Sequence, residues 1–221
     1  MNEEIIHVYL MPGMAANPTI FEHIKLPEDQ FKIHWLEWII PNDNESISSY
    51  ALRVVNNIKH ENIVLLGVSF GGVLVQEISK HINVRKLIIV SSVKSMHELP
   101  KHILLAKKTK AYALIPTQLI SNINLLIKYV FGGNIKKHIE MYKKYLSVAD
   151  SKYLSWAIKQ MVCWDQNENI PDIVHIHGDK DTVFPIKNIT GCITIANGTH
   201  IMIINKYKWF NENLPRIILE N

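Results

Sequence analysis

Apolar residues in this chain gather in short unbroken runs separated by longer mixed stretches. Residues 5–11 (IIHVYLM), 31–40 (FKIHWLEWII, ending at Pro41), 62–67 (NIVLLG), 86–91 (KLIIVS), 173–177 and 192–196 each read as a strand. A strand apolar at every position is covered on both faces, which is the pattern of a parallel sheet rather than of an alternating antiparallel one. The mixed stretches between them carry helical spacing. Residues 46–59 offer Ser46 as an N-cap, with Ile47, Ala51, Leu52, Val54, Val55 and Ile58 along one face. Residues 72–82 (GVLVQEISKHI) form a second helix, and a last one runs from about residue 207 to the end. The predicted class is α/β, a mostly parallel six-stranded sheet with helices on both faces.

Between the fourth and fifth strands lie about 75 residues without strand pattern, too many for a structureless connection in a compact domain. Pro100, Pro116 and the pair Gly132-Gly133 break helical patterns there, so the spacing predicts two to four helices forming an insertion over about residues 93–165. A chain of 221 residues, 48% hydrophobic and 20% charged, is expected to form one domain, residues 1–221, with the insertion inside it.

Charge changes this picture only locally. Residues 94–159 hold twelve lysines and no arginine against Glu98, Glu140 and Asp150, a local +9 in a chain of net +4. Such a segment is either a field that steers an anionic substrate or a solvated helical face. Without arginine or a reader motif, nucleic acid is excluded as a partner. Residues 1–4 are acidic and lead straight into a strand, unlike a signal peptide, and no apolar run approaches membrane-spanning length. Cys163 and Cys192 stand alone. A cytoplasmic protein with free thiols, no metal and no cofactor is expected; its oligomeric state is not legible.

The chemistry enters at Gly67-Val68-Ser69-Phe70-Gly71, between a predicted strand and a predicted helix. A strand, one sharp turn and a helix with G-x-S-x-G at the turn make a nucleophile elbow: Gly67 and Gly71 allow the close approach, and the turn pushes the Ser69 hydroxyl outward. The lysine of a phosphate-binding G-x-x-x-x-G-K-[ST] loop and the spacing of G-x-G-x-x-G are both missing. A serine hydroxyl needs a base, and the base an orienting group. The fifth strand ends in HGDKDTVFP (residues 177–185) and the sixth is followed by Asn197-Gly198-Thr199-His200. All three segments fall at carboxyl ends of parallel strands, where open α/β sheets build their sites.

On these residues, GVSFGG (67–72), HGDKDTVFP and GTH (198–200), the chain resembles the α/β-hydrolase fold family over nearly its whole length. The resemblance implies Ser69 as nucleophile, Asp181 as the acid, with Asp179 the competing choice, and His200 as base. It implies an oxyanion hole from the backbone N–H groups of Phe70 and Met14. Many relatives carry His-Gly in the loop after the first strand; here it is Pro12-Gly13. The sheet is expected in the order 2-1-3-4-5-6, truncated at its N-terminal edge, and the insertion as a helical cap. Leu104, Leu105, Tyr112, Leu114, Ile115, Leu125, Ile127, Tyr129 and Phe131 are its candidates for an acyl pocket. His177 is expected to support the acid turn. His7, His34 and His175 read as strand residues, and His23, His60, His81, His97, His102 and His138 as ordinary polar positions.

The expected activity is a serine hydrolase that cleaves a small carboxylic ester or thioester through an acyl-enzyme. An acyltransferase or C–C hydrolase using the same residues, or a ligand-binding protein that keeps the fold without turnover, are the alternatives.

Overall fold

Six parallel strands lie in the order β2-β1-β3-β4-β5-β6 in the computed structural model, which describes residues 4–114 and 144–220. They are β1 Ile6–Met11, β2 Phe31–Trp35, β3 Ile63–Val68, β4 Lys86–Val90, β5 Val174–Gly178 and β6 Ile193–Ile195. Every residue of β3 is buried, so both faces of the sheet are covered, as its unbroken apolar run requires. The helices are α1 Ile47–Val55, α2 Phe70–Ser79, α3 Lys101–Thr109, α4 Ser151–Cys163, α5 Met202–Asn205 and α6 Tyr207–Leu219. From β1 the chain steps one way to β2 and then back across to β3. Right-handed crossovers therefore put α1 and α2 on one face, packed on each other, and the Pro18–Phe21 turn on the opposite face with α5. Among the described residues no helix is long and apolar enough to cross a membrane.

Two elements differ from their sequence reading. The second strand stops at Trp35, because its partner β1 ends at Met11 and the last ladder bond runs from Leu36 N–H to Leu10 O. Residues 36–40 leave the sheet instead: the backbone N–H and C=O of Ile39 both bond the Tyr50 hydroxyl, at 2.8 and 2.9 Å. The elbow helix starts at Phe70, two residues early, and takes Gly71 and Gly72 into its first turn.

The segment between β4 and β5 contributes α3 and α4 among the described residues, and it is anchored at both ends. Glu98 accepts from the backbone N–H of Lys94 at 2.7 Å and of Thr190 at 3.1 Å. The Lys94 ammonium lies beside Glu98 and bonds the Thr190 carbonyl. Lys94 is buried, so it belongs to the interior and not to a solvated basic face. Asp150 caps α4 through Tyr153 N–H at 2.8 Å. Beyond the end of α4, the Trp164 indole donates to Glu77 on α2 at 2.9 Å. These bonds are satisfied inside the fold, where an unpaired partner would cost about 1–3 kcal/mol. Residues 115–143 of the expected insertion, with Ile115, Leu125, Ile127, Tyr129, Phe131 and His138, lie outside the described residues.

Candidate active site

The carboxyl ends of β1 and β3 flank the point where strand order reverses, and the loops leaving them meet there. Ser69 follows β3 at φ 53°, ψ −123°, a conformation that costs a non-glycine residue on the order of 1–3 kcal/mol. Its neighbours hold it. The Ser69 N–H bonds Val90 O at 2.9 Å, and Ser92 Oγ donates to Ser69 O at 2.7 Å. A Cβ on Gly67 would collide with the Gly71 backbone, and one on Gly71 with the Pro12 carbonyl. The two glycines thus let α2 start against β3 and against the loop after β1.

Ser69 Oγ lies 2.9 Å from His200 Nε2, and His200 Nδ1 lies 2.9 Å from Asp181 Oδ2. The Asp181 side chain is fully buried. Its other oxygen, Oδ1, accepts from the N–H groups of Val183 and Phe184 at 2.8 and 2.9 Å. Burial raises the Asp181 pKa, but the adjacent His200 and the hydrogen bonds from His200 and Phe184 outweigh it and hold the carboxyl below its ordinary value. An ionised Asp181 fixes the proton of His200 on Nδ1 and leaves Nε2 as an acceptor facing the serine hydroxyl. Asp179 makes no such contact, and its Oδ1 is buried without a partner among the described residues.

His177 backs the acid turn from inside the sheet. Its Nε2 donates to Phe184 O at 2.8 Å and lies 3.5 Å from Asp181 Oδ2, while His175 Nε2 approaches its Nδ1 at 3.0 Å. Burial first, with His177 and Lys94 adding to it, pushes His175 down to about 3. Desolvation likewise lowers His177, although Asp181 opposes it.

The loop after β1 lies on the other side of Ser69. Among the described residues neither the Met14 nor the Phe70 N–H has an intramolecular acceptor, and Phe70 as first residue of α2 has none within its helix. Pro12 supplies no bonding side chain. The support comes from residues that no motif marks: Trp38 Nε1–H donates to Gly13 O at 2.8 Å, and the Tyr153 hydroxyl accepts from Ala15 N–H at 3.4 Å. Ala15 sits at φ 63°, so these contacts brace a strained turn.

A cavity is lined by Ser69 together with Met14, Phe70 and His200. Its walls are apolar: Ile20, Ile103, Leu146, Met161, Val183 and Ile204 line it, with Tyr145 beside them. Ile103, Tyr145, Leu146 and Met161 belong to the segment between β4 and β5. Leu104, Leu105, Tyr112 and Leu114 do not line it; Leu105 and Leu114 are exposed at 60% and 82%.

No protein-family model and no curated protein matches the chain. Solved structures do. An esterase from Exiguobacterium antarcticum is 19% identical over 100% of this chain and 94% of its own, with a TM-score of 0.68. A lipase-esterase related protein from Clostridium acetobutylicum is 18% identical over 98% and 96%, also at 0.68. A bromoperoxidase from Bacillus anthracis is 16% identical over 99% and 93%, again at 0.68. The chain has the α/β-hydrolase fold.

Proposed function

We propose that this protein is a serine hydrolase that cleaves a small carboxylic ester or thioester with an apolar acyl chain, through an acyl-enzyme on Ser69. Ser69 Oγ attacks the acyl carbon as its proton passes to His200 Nε2, and Asp181 stabilises the imidazolium through Nδ1–H. The Met14 and Phe70 N–H groups receive the negative charge that develops on the carbonyl oxygen. Collapse of the tetrahedral intermediate breaks the bond to the alcohol or thiol, which leaves with the proton returned by His200. Water then enters, gives a proton to His200 and attacks the acyl carbon. The acid departs and Ser69 is restored. The insertion caps this site and supplies part of the acyl pocket.

The observation that carries the reading is the unbroken line from Ser69 Oγ through both nitrogens of His200 to Asp181, with two links of 2.9 Å. Esterases and lipases among the similar structures support it at the level of the fold. The test is covalent labelling by a fluorophosphonate, read by intact mass, together with hydrolysis of p-nitrophenyl esters. Ser69→Ala is expected to abolish labelling and to reduce kcat on the order of 10⁶-fold while the protein stays folded. A folded Ser69→Ala protein with wild-type turnover overturns the proposal.

A further inference from the structure

On the open edge of the sheet three histidines from separate segments converge. His7 is on β1, His34 on the edge strand β2, and His60 on the connection entering β3. His34 pairs with Tyr9 in the β1–β2 register. Parallel partners, and residues two apart on one strand, point to the same face, so His7, Tyr9 and His34 share it. One ring nitrogen from each histidine can be chosen such that all three atoms lie within 4.8 Å of one another. His7 Nδ1 and His34 Nε2 are 2.8 Å apart. None of the three lines the cavity at Ser69.

We propose that His7, His34 and His60 bind one late first-row divalent cation of the Zn2+ type. Three imidazoles and no carboxylate are the donor set of such ions rather than of Mg2+ or Ca2+. Tetrahedral Zn–N bonds of about 2.0–2.1 Å place ligand nitrogens roughly 3.3 Å apart, so the His7–His34 pair opens by about half an ångström to admit the ion. His60 now stacks on His7, with centroids 3.8 Å apart and 8° between planes. It must turn out of that stack to aim its lone pair, which its exposed position permits.

A supporting contact is already in place. The Tyr9 hydroxyl lies 2.6 Å from His60 Nδ1 and also accepts from Lys59 N–H at 3.1 Å. With His60 Nδ1–H donating to Tyr9, Nε2 is left to coordinate, the arrangement that orients metal-bound histidines. Lys32 opposes the charge of the ion, and Glu4 favours it.

The experiment is isothermal titration of the untagged protein with ZnCl2, with MgCl2 as control, alongside thermal melts. The wild type is expected to take up one equivalent of Zn2+ and to melt higher in its presence, with no response to Mg2+. His60→Ala and His34→Gln should each weaken Zn2+ binding at least tenfold and remove the shift in melting temperature, while ester hydrolysis is unchanged. His60 is exposed, so its variant folds. Equal Zn2+ affinity in wild type and His60→Ala, or no binding by the wild type, overturns the proposal whatever the esterase result.

Discussion

The indole of Trp38 donates to the Gly13 carbonyl at 2.8 Å and lies flat on Phe70, with ring centroids 5.2 Å apart and 10° between planes. One side chain from the connection between β2 and α1 thus touches both segments whose amides the proposed mechanism aims at the oxyanion. Trp38→Phe keeps the stacking surface and loses the hydrogen bond. It is expected to lower kcat about tenfold with little change in KM, short of the ~10²–10³ lost when an oxyanion donor is removed outright. Steady-state kinetics checks the split. A rise in KM alone would place Trp38 in substrate binding instead.

Asp181 and Asp179 are two residues apart on one turn, and only Asp181 reaches His200. Asp181→Asn should cost on the order of 10⁴ in kcat, because an amide in place of the carboxylate leaves His200 in the wrong tautomer. Asp179→Asn should stay within about threefold of wild type, since among the described residues its carboxylate bonds neither His200 nor Ser69. The larger loss appearing in Asp179→Asn would reverse the assignment of the acid.

What could be read before folding, and what could not, follows from the range of the interactions. Continuous apolar runs mark strands by themselves, and G-x-S-x-G compresses a strand–turn–helix into five residues, so the sheet and the Ser69 turn were legible. The end of β2 was not, because Ile39 is as apolar as a strand residue and only the end of β1 at Met11 leaves it without a partner strand. Trp38 and Tyr153 brace the loop after β1 from 25 and 138 residues away, with no spacing to announce it. The pocket wall was missed by helix phase: Ile103 faces the cavity and its neighbours Leu104 and Leu105 do not, and one residue is about 100° of rotation. The three clustered histidines needed the register of β1 on β2, which no single strand contains.

The cavity should discriminate acyl chains by length and reject charge. Ile103 on α3 and Met161 on α4 stand in its wall. Ile103→Trp fills the space, and each displaced methylene forfeits roughly 0.8 kcal/mol. Octanoate esters are therefore expected to lose at least tenfold in kcat/KM while acetate esters stay within about twofold. No lysine or arginine among the described residues lines the cavity. A half-ester carrying a free carboxylate on its acyl end should react poorly, because burying that charge unpaired is costly. A chain-length panel on both proteins checks the first expectation, and a pair of neutral and anionic esters of equal length checks the second.

Acid should destabilise the fold before the carboxylates titrate, and His175 is one reason. It is 2% exposed, its Nδ1 has no partner among the described residues, and burial holds its pKa at about 3. The unfolded chain has an ordinary histidine there, with a pKa of about 6.5. Between these two values the unfolded state binds a proton that the folded state refuses. The stability is therefore fully present above about pH 6.5 and falls as pH drops toward 3, by up to roughly 1.4 kcal/mol per pH unit. His34, held at about 4, adds to the same window from the other end of the sheet. Asp181 acts lower still: its depressed pKa supplies stability that is lost only as pH falls below the ordinary carboxylate range. His175→Gln removes the titration and keeps an amide donor toward His177. Urea unfolding at pH 7.5 and pH 5 is expected to show a smaller loss of stability in the variant, by on the order of 1–2 kcal/mol, with His34 accounting for part of what remains. Equal losses in the two proteins would mean that His175 is not held neutral by the fold.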